Sequence, residues 1–424
     1  MSSVLIVGGG HGGVDVAFGL RERGYTGPIT VLDKSGFVPY ERPPMSKSWI
    51  NGAGGPAELM LRGHDAFSGA NIELMLNCEV LGIDRDKKVL ETSHGSVEYS
   101  TLVLALGSSP RQLRFSGASL AGMHHLHTLE QATVLRNDLT SATSVGVIGA
   151  GFIGLEIASS VAKRGIPVTV VETARRPMPR TASEFTSAYM RARHEDAGTN
   201  FRFNASVQEI VGQSGRVSRV MLSDGTHVKA DLVVMGVGAL ANGGWVTDFG
   251  LDFDNGIVVD STLRTKDPDI FAIGDCARFL DDEGGATRLE SIGNAADHAR
   301  RVAATIAGSP VPVPDVPWFW TLQAGVRLQM AGRVDRVEEW LLTGSVESNS
   351  FSVLGWRNSK LVYGESINSP SDHVTIRKLL AENTAPTLSE LRPIAEMGLK
   401  AAIKFLVSFR SAPKDEVSRP QMAR

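Results

Sequence analysis

The chain opens on four apolar residues, Val4-Leu5-Ile6-Val7, followed by the small-residue run Gly8-Gly9-Gly10-His11-Gly12-Gly13. A helical alternation comes next. Val14, Val16, Ala17, Phe18 and Leu20 are apolar in it, and Arg21, Glu22 and Arg23 are polar. Gly24 stops that helix, and a second apolar run, Ile29-Thr30-Val31-Leu32, ends on Asp33. Short apolar runs bounded by turn residues suit strands buried on both faces of a parallel sheet. The pattern therefore predicts strand, glycine turn, helix, strand and acid. It occurs a second time. Val145-Gly146-Val147-Ile148 leads into Gly149-Ala150-Gly151-Phe152-Ile153-Gly154. A helix runs through Leu155, Ile157, Ala158, Val161 and Ala162 to Gly165, and Val168-Thr169-Val170-Val171 ends on Glu172.

Each repeat has the parts a dinucleotide site needs. Gly8 allows the tight turn out of the strand, Gly10 lets backbone approach a pyrophosphate, and Gly13 lets the helix pack closely. With Gly12 they form the first candidate cofactor loop; Gly149, Gly151 and Gly154 form the second. The helix N-terminus offers free N–H groups to phosphate. Asp33 and Glu172 stand where a carboxylate accepts from a ribose diol, and Glu172 favours NADH because a carboxylate repels a 2′-phosphate. Arg175 and Arg176 soften that preference. The alternative is a tight turn in some other α/β fold. Two such sites imply two dinucleotides, and the chemistry that uses two is hydride transfer from a nicotinamide to a flavin.

Other stretches place the remaining elements. A short strand is expected near Ile72–Met75, a hairpin over Val89–Tyr99, and buried strands at Leu102–Gly107 and Asp231–Gly238. Phe185–Ala197 reads as a helix and Val207–Val228 as two or three strands. Ile270-Phe271-Ala272-Ile273 runs into Gly274-Asp275, where a second close approach to the flavin nucleotide is expected, with Asp275 accepting from a ribityl hydroxyl. Ser46 is placed to cap a helix from Lys47. The proline-rich stretch Pro310–Pro317 marks a boundary. Beyond it, alternating strands predict an antiparallel sheet, helices are expected at Val374–Leu380 and Ile394–Phe409, and the tail from Ala412 is polar.

Composition narrows the class. With 424 residues, 42% hydrophobic and 21% charged, the chain suits two or three globular domains. The net charge of −3 argues against a general nucleic-acid or membrane binder. The two cysteines, Cys78 and Cys276, form no CxxC, which removes redox-disulfide and cysteine-ligated cluster chemistry from this chain. The first strand begins by Val4, so neither signal nor transit peptide is expected, and the expected location is cytoplasmic. His124-His125-Leu126-His127 resembles a metal cluster only in composition, because alternate strand residues face opposite ways.

The segment Pro39-Tyr40-Glu41-Arg42-Pro43-Pro44-Met45-Ser46-Lys47 is similar to the PYxRPPLSK segment of the FAD-dependent NADH:ferredoxin reductases serving cytochrome monooxygenases and ring-hydroxylating dioxygenases. The resemblance extends to about Asn383. It implies that Arg42 and Lys47 contact FAD, with Lys47 near the ring system, where composition alone reads a solvated basic loop. It implies that the Val80 backbone meets the adenine end, that His127 stands where the family commonly has an FAD-binding Arg, which a neutral or cationic imidazole partly replaces, and that the Ile292 backbone meets the flavin's pyrimidine end. Glu156 is implied beside flavin and nicotinamide, paired with Lys47, and Trp320 is implied to shield the flavin. Lys47, Glu156 and Trp320 are the candidate catalytic residues. The chain departs from the family pattern at Leu106 (usually Thr), His127, Ala241 (usually Pro), His298 (usually Gln) and Leu322 (usually Asp).

The expected fold is α/β. Two Rossmann-like domains, for FAD and NAD, are joined to a C-terminal α+β domain, in a glutathione-reductase-like architecture without the redox disulfide. The expected divisions are 1–110 and 239–315 for FAD, 111–238 for NAD, 316–410 for the C-terminal domain and 411–424 for a flexible tail. The resemblance implies a [2Fe-2S] ferredoxin as electron acceptor, with Arg62, Arg300 and Arg301 as docking candidates, on a monomer or homodimer. The alternatives are a disulfide reductase or NADH oxidase, which needs a cysteine this chain lacks, and an NADH-responsive binding protein like apoptosis-inducing factor.

Overall fold

The computed structural model describes residues 2–52, 54–280 and 285–411. The chain forms two compact units. One consists of Met1–Pro177 and Arg191–Phe319, the other of Met178–Met190 and Trp320–Arg424.

The first unit holds two five-stranded parallel sheets of the same plan. In one, Val4–Val7 is central. Ile29–Leu32 and Glu73–Met75 lie on one side, and Thr101–Leu104 and Ile270–Ala272 on the other. In the other, Val145–Ile148 is central. Val168–Val171 and Thr199–Arg202 lie on one side, Leu232–Met235 and Met123–His125 on the other. Both central strands are wholly buried, as their apolar runs require. Each glycine loop leaves the carboxyl end of its central strand, where open α/β sheets bind ligands.

Close packing explains the outer glycines. A Cβ on Gly13 would stand 1.9 Å from Gly8 O, and one on Gly154 2.1 Å from Gly149 O. The helix Ile292–Ile306 lies against His11–Glu22 through small residues. A Cβ on Gly12 would meet Ala295 Cβ at 3.7 Å, and one on Gly19 would meet Ala303 Cβ at 3.3 Å. The Cys276 thiol is buried and donates to Ile273 O at 3.2 Å, and burial pushes it up to about 11, so it serves as a small core residue.

Local readings need three adjustments. The hairpin at Val89–Thr92 and Gly95–Glu98 gains a third strand, Val80–Asp84. Ser46 caps no helix: Pro43–Ser46 is a short 3-10 turn that ends there, because paired prolines fix φ without supplying donors. The helix expected over Ile394–Phe409 is broken. A turn at Arg392–Met397 precedes Leu399–Ser411, and Gly398 lies between them with φ of 80°.

The second unit contains a five-stranded sheet ordered Trp318–Gln323 (in this unit from Trp320 on), Val326–Gly332, Lys360–Ile367, Ser350–Arg357, Glu339–Ser345. Its buried Glu365 carboxylate accepts from Ser183 N at 2.7 Å, Ser183 Oγ at 2.6 Å and Thr186 Oγ1. These donors stand at the start of the helix Glu184–Asp196, so a distant carboxylate supplies part of its cap. Burial pushes the Glu365 carboxyl up. The polar tail from Ala412 lies outside the described residues. Among the described residues, no helix is long and apolar enough to cross a membrane.

Candidate active site

Both glycine loops adopt one conformation. Gly10 and Gly151 are the N-caps of their helices, at φ −77°, ψ −177° and φ −78°, ψ −177°, and neither cap has a side-chain hydrogen bond. The first-turn N–H groups therefore face outward with the positive end of the helix dipole. A Cβ on Gly151 would meet nothing within 4 Å, and one on Gly10 would meet only the Arg42 guanidinium at 3.2 Å. Gly151 thus faces open space and Gly10 only the end of a flexible side chain, whereas the outer glycines are packed against backbone. A cradle of backbone donors with no Cβ in it fits a pyrophosphate in both places.

The acids lock the loops. Asp33 accepts from Gly9 N at 2.5 Å and Ser35 N at 2.7 Å. Glu172 accepts from Ala150 N and from Ala174 N, both at 2.8 Å. Each carboxylate holds its loop in shape and keeps further lone pairs for a ribose hydroxyl.

Arg42 stands beside the first glycine loop, its guanidinium 3.2 Å from where a Cβ on Gly10 would lie. Burial, with Arg42 nearby, holds both His11 and His127 down at about 4. With no ligand beside it, burial and the Arg42 charge thus favour the neutral form of the His127 imidazole. Gly274-Asp275 meets the same region. Ser108 Oγ donates to Asp275 Oδ2 at 3.1 Å, and burial, then Glu290, push that carboxyl up to about 6. His298 fixes the turn, because its Nδ1 accepts from Gly274 N at 3.2 Å, and burial holds the imidazole down at about 3. A Cβ on Gly274 would lie 3.4 Å from Ala295 Cβ. The N-terminus of the helix begun by Ile292 therefore stands beside this turn, capped by Ser291 Oγ, which accepts from Asn294 N at 3.1 Å. Val80 begins its strand opposite Thr92.

The two halves of the unit meet along one helix. Glu156, Ser160 and Arg164 are spaced by four, so they share one face of the helix Phe152–Lys163 and its C-cap. Glu156 Oε2 lies 2.7 Å from Lys47 Nζ and accepts from Ser46 Oγ at 2.5 Å. Ser160 Oγ donates to Ser46 O at 2.8 Å, and Arg164 Nη1 to Ile50 O at 3.0 Å. Neither Ser46 nor Ser160 is marked as a site residue by the sequence pattern. The available signal was the polar row Glu156, Ser160, Arg164 on a helix otherwise rich in Leu, Ile, Val and Ala.

The family departures settle differently. Leu106 contributes its carbonyl, which accepts from Asn242 Nδ2 at 2.9 Å; this bond needs no particular side chain. Leu322 is exposed. Trp320 belongs to the second unit and is 37% exposed. Of the docking candidates, Arg62 is exposed beside the Phe18 ring, with its guanidinium carbon 5.5 Å from the centroid. Arg300 is 45% exposed and bonded to Asp297 at 2.6 Å. Arg301 is only 12% exposed and donates to Ser261 O, so its charge is held inside the fold.

Comparison with known proteins gives consistent relationships. The pyridine nucleotide-disulphide oxidoreductase family model matches residues 2–299, and the reductase C-terminal model matches residues 318–402. The chain is 39% identical to rhodocoxin reductase of Rhodococcus erythropolis over 418 residues, covering 98% of this chain and 97% of the relative. It is 36% identical to rubredoxin-NAD(+) reductase of Pseudomonas putida, covering 87% of this chain and 96% of the relative. The reductase in the crystal structure of a covalent putidaredoxin reductase–putidaredoxin complex matches with a TM-score of 0.91 at 32% identity, covering 97% of this chain and 99% of that one.

Proposed function

The chain belongs to the pyridine nucleotide-disulphide oxidoreductase family and, within it, to the ferredoxin reductases, and from that premise we propose how its residues divide the work. It is an FAD-dependent oxidoreductase that takes a hydride from NADH and passes electrons to a ferredoxin. Bound FAD supplies what no side chain here can, accepting two electrons together and releasing them singly. One observation carries the reading: two like-built pyrophosphate cradles lie in one compact unit, and Lys47 and Glu156 join the halves at 2.7 Å.

In this reading FAD lies on Gly8, Gly10, Gly12 and Gly13, with Asp33 at the ribose, Arg42 at the phosphates and Asp275 at the ribityl chain. Val80, His127 and Ile292 contribute further contacts. NADH lies on Gly149, Gly151 and Gly154, with Glu172 selecting against a 2′-phosphate. Residues 1–110 and 239–315 serve FAD, and residues 111–238 serve NADH. Lys47 places an ammonium beside the reacting centre and Glu156 balances it. No side chain moves a proton in the hydride step. The acceptor is a [2Fe-2S] ferredoxin, and Arg62 and Arg300 supply positive charge for it.

The partner assignment is tested with NADH and a [2Fe-2S] ferredoxin under anaerobic conditions. NADH- and enzyme-dependent loss of the ferredoxin's visible absorbance is expected. Reduction of a rubredoxin but not of the ferredoxin would overturn the assignment of the acceptor.

A further inference from the structure

We propose that Ser46 is a positioning residue for hydride transfer: its hydroxyl fixes the Glu156 carboxylate against Lys47, and so sets how much ammonium charge acts on the flavin. This rests on the reading that Lys47 and Glu156 flank the reacting centre.

Ser46 and Glu156 are 2% and 4% exposed. A hydroxyl donating to a carboxylate at 2.5 Å, away from water, is a strong charge-assisted bond. The Lys47 ammonium approaches the same oxygen, Oε2, at 2.7 Å. Two donors thus share one carboxylate oxygen, and the hydroxyl takes part of the negative charge that would otherwise fall on the ammonium.

Ser46 is itself held. Its carbonyl accepts from Ser160 Oγ at 2.8 Å. Asn51 Nδ2 donates to Lys47 O at 2.7 Å and to Ser160 Oγ at 3.3 Å. The competing acceptor for the Ser46 hydroxyl, Pro43 O, stands farther away at 3.4 Å. Glu156 and Ser160 are one helical turn apart, so the helix grips both ends of Ser46 at once.

Without the hydroxyl, the carboxylate's charge falls more fully on Lys47. The field at the flavin becomes more negative, and the reduced, negatively charged flavin is disfavoured. Without the carboxylate's charge, the hydroxyl has nothing to partition.

The test uses FAD-loaded protein with Ser46→Ala, Glu156→Gln and both. The flavin midpoint potential is measured by equilibration with a reference dye, and the rate of bleaching by NADH is measured anaerobically. Ser46→Ala is expected to lower the potential and slow bleaching about tenfold, the loss of one hydrogen bond to a charged group, with half-saturating NADH unchanged. Glu156→Gln is expected to raise the potential, and the double variant to match Glu156→Gln. If Ser46→Ala fails to load FAD, Ser46→Cys fills the space with a weak donor and is expected to shift in the same direction. An unchanged potential in the Ser46 variant, or an equal shift in both backgrounds, would overturn the proposal and leave the site assignment standing. An unchanged potential in Glu156→Gln would overturn the site assignment itself.

Discussion

Asp33 and Glu172 occupy equivalent places in the two halves of the first unit. Each follows the second strand of its sheet and turns back to accept the N–H of the second residue in its glycine loop, Gly9 at 2.5 Å and Ala150 at 2.8 Å. The carboxylates shape the loops before any ligand arrives. Ordering entropy that binding would otherwise cost is thereby already spent in folding. Glu172→Ala is expected to raise the KM for NADH about tenfold or more, consistent with losing hydrogen bonds to a charged group. FAD content should be unchanged, because Asp33 holds the other loop. Steady-state kinetics with flavin absorbance of the purified variant checks both.

The packed and open glycines predict different failures. A Cβ on Gly8 would lie 2.2 Å from Ala105 O, at a φ of 114°, so Gly8→Ala should cost folding yield. A Cβ on Gly151 would meet nothing within 4 Å. Gly151→Ala should therefore keep its thermal midpoint and its FAD while the KM for NADH rises at least tenfold. An unaltered KM would show that no phosphate approaches that backbone.

Much of this architecture is legible in the sequence because glycine loops, buried apolar runs and terminal acids are local signals. Val4–Asp33 and Val145–Glu172 carry them at full strength. Ser46 is harder to read, because the short turn that ends on it is set by Pro43 and Pro44. A serine ahead of polar residues suggests a cap, and only the tertiary fold shows its hydroxyl meeting Glu156, 110 positions away. His298 marked a departure from the family pattern, yet its acceptor role toward Gly274 N depends on a helix returning to the first sheet. The break at Gly398 was hidden because apolar spacing continues across it. Glu365 gave no signal, since one acid in a strand reads as a solvated position.

Two buried groups give opposite pH dependences in the FAD-free protein. The His298 imidazole is held down at about 3 from 6.5. The unfolded chain therefore binds a proton that the folded chain refuses between those values, and stability falls as pH drops from 6.5 towards 3. The slope is about 1.4 kcal/mol per pH unit while this group alone titrates. Asp275 is pushed up to about 6 from 3.8. Its contribution is fully present below pH 3.8 and lost as pH rises through 6. His298→Gln, which keeps an acceptor for Gly274 N, should stabilise the protein at pH 5 relative to pH 8. Asp275→Asn should stabilise it at pH 7 and not at pH 3.5. Denaturant midpoints across this range check both signs.

Arg300 lies outside the dinucleotide sites and is half exposed, with Asp297 as its partner. Arg300→Glu should weaken ferredoxin reduction several-fold at low salt, with the difference shrinking as salt screens it. NADH-dependent reduction of a small dye should be unchanged. Equal loss of both activities would place the effect in the fold and not in docking.

The most direct test of the central claim is anaerobic mixing of the purified yellow protein with NADH and, separately, with NADPH, following flavin absorbance. Fast bleaching by NADH and slow bleaching by NADPH is the predicted result. A flavin that neither nucleotide bleaches would contradict the account, because the loop at Gly149–Gly154 would then not deliver a hydride.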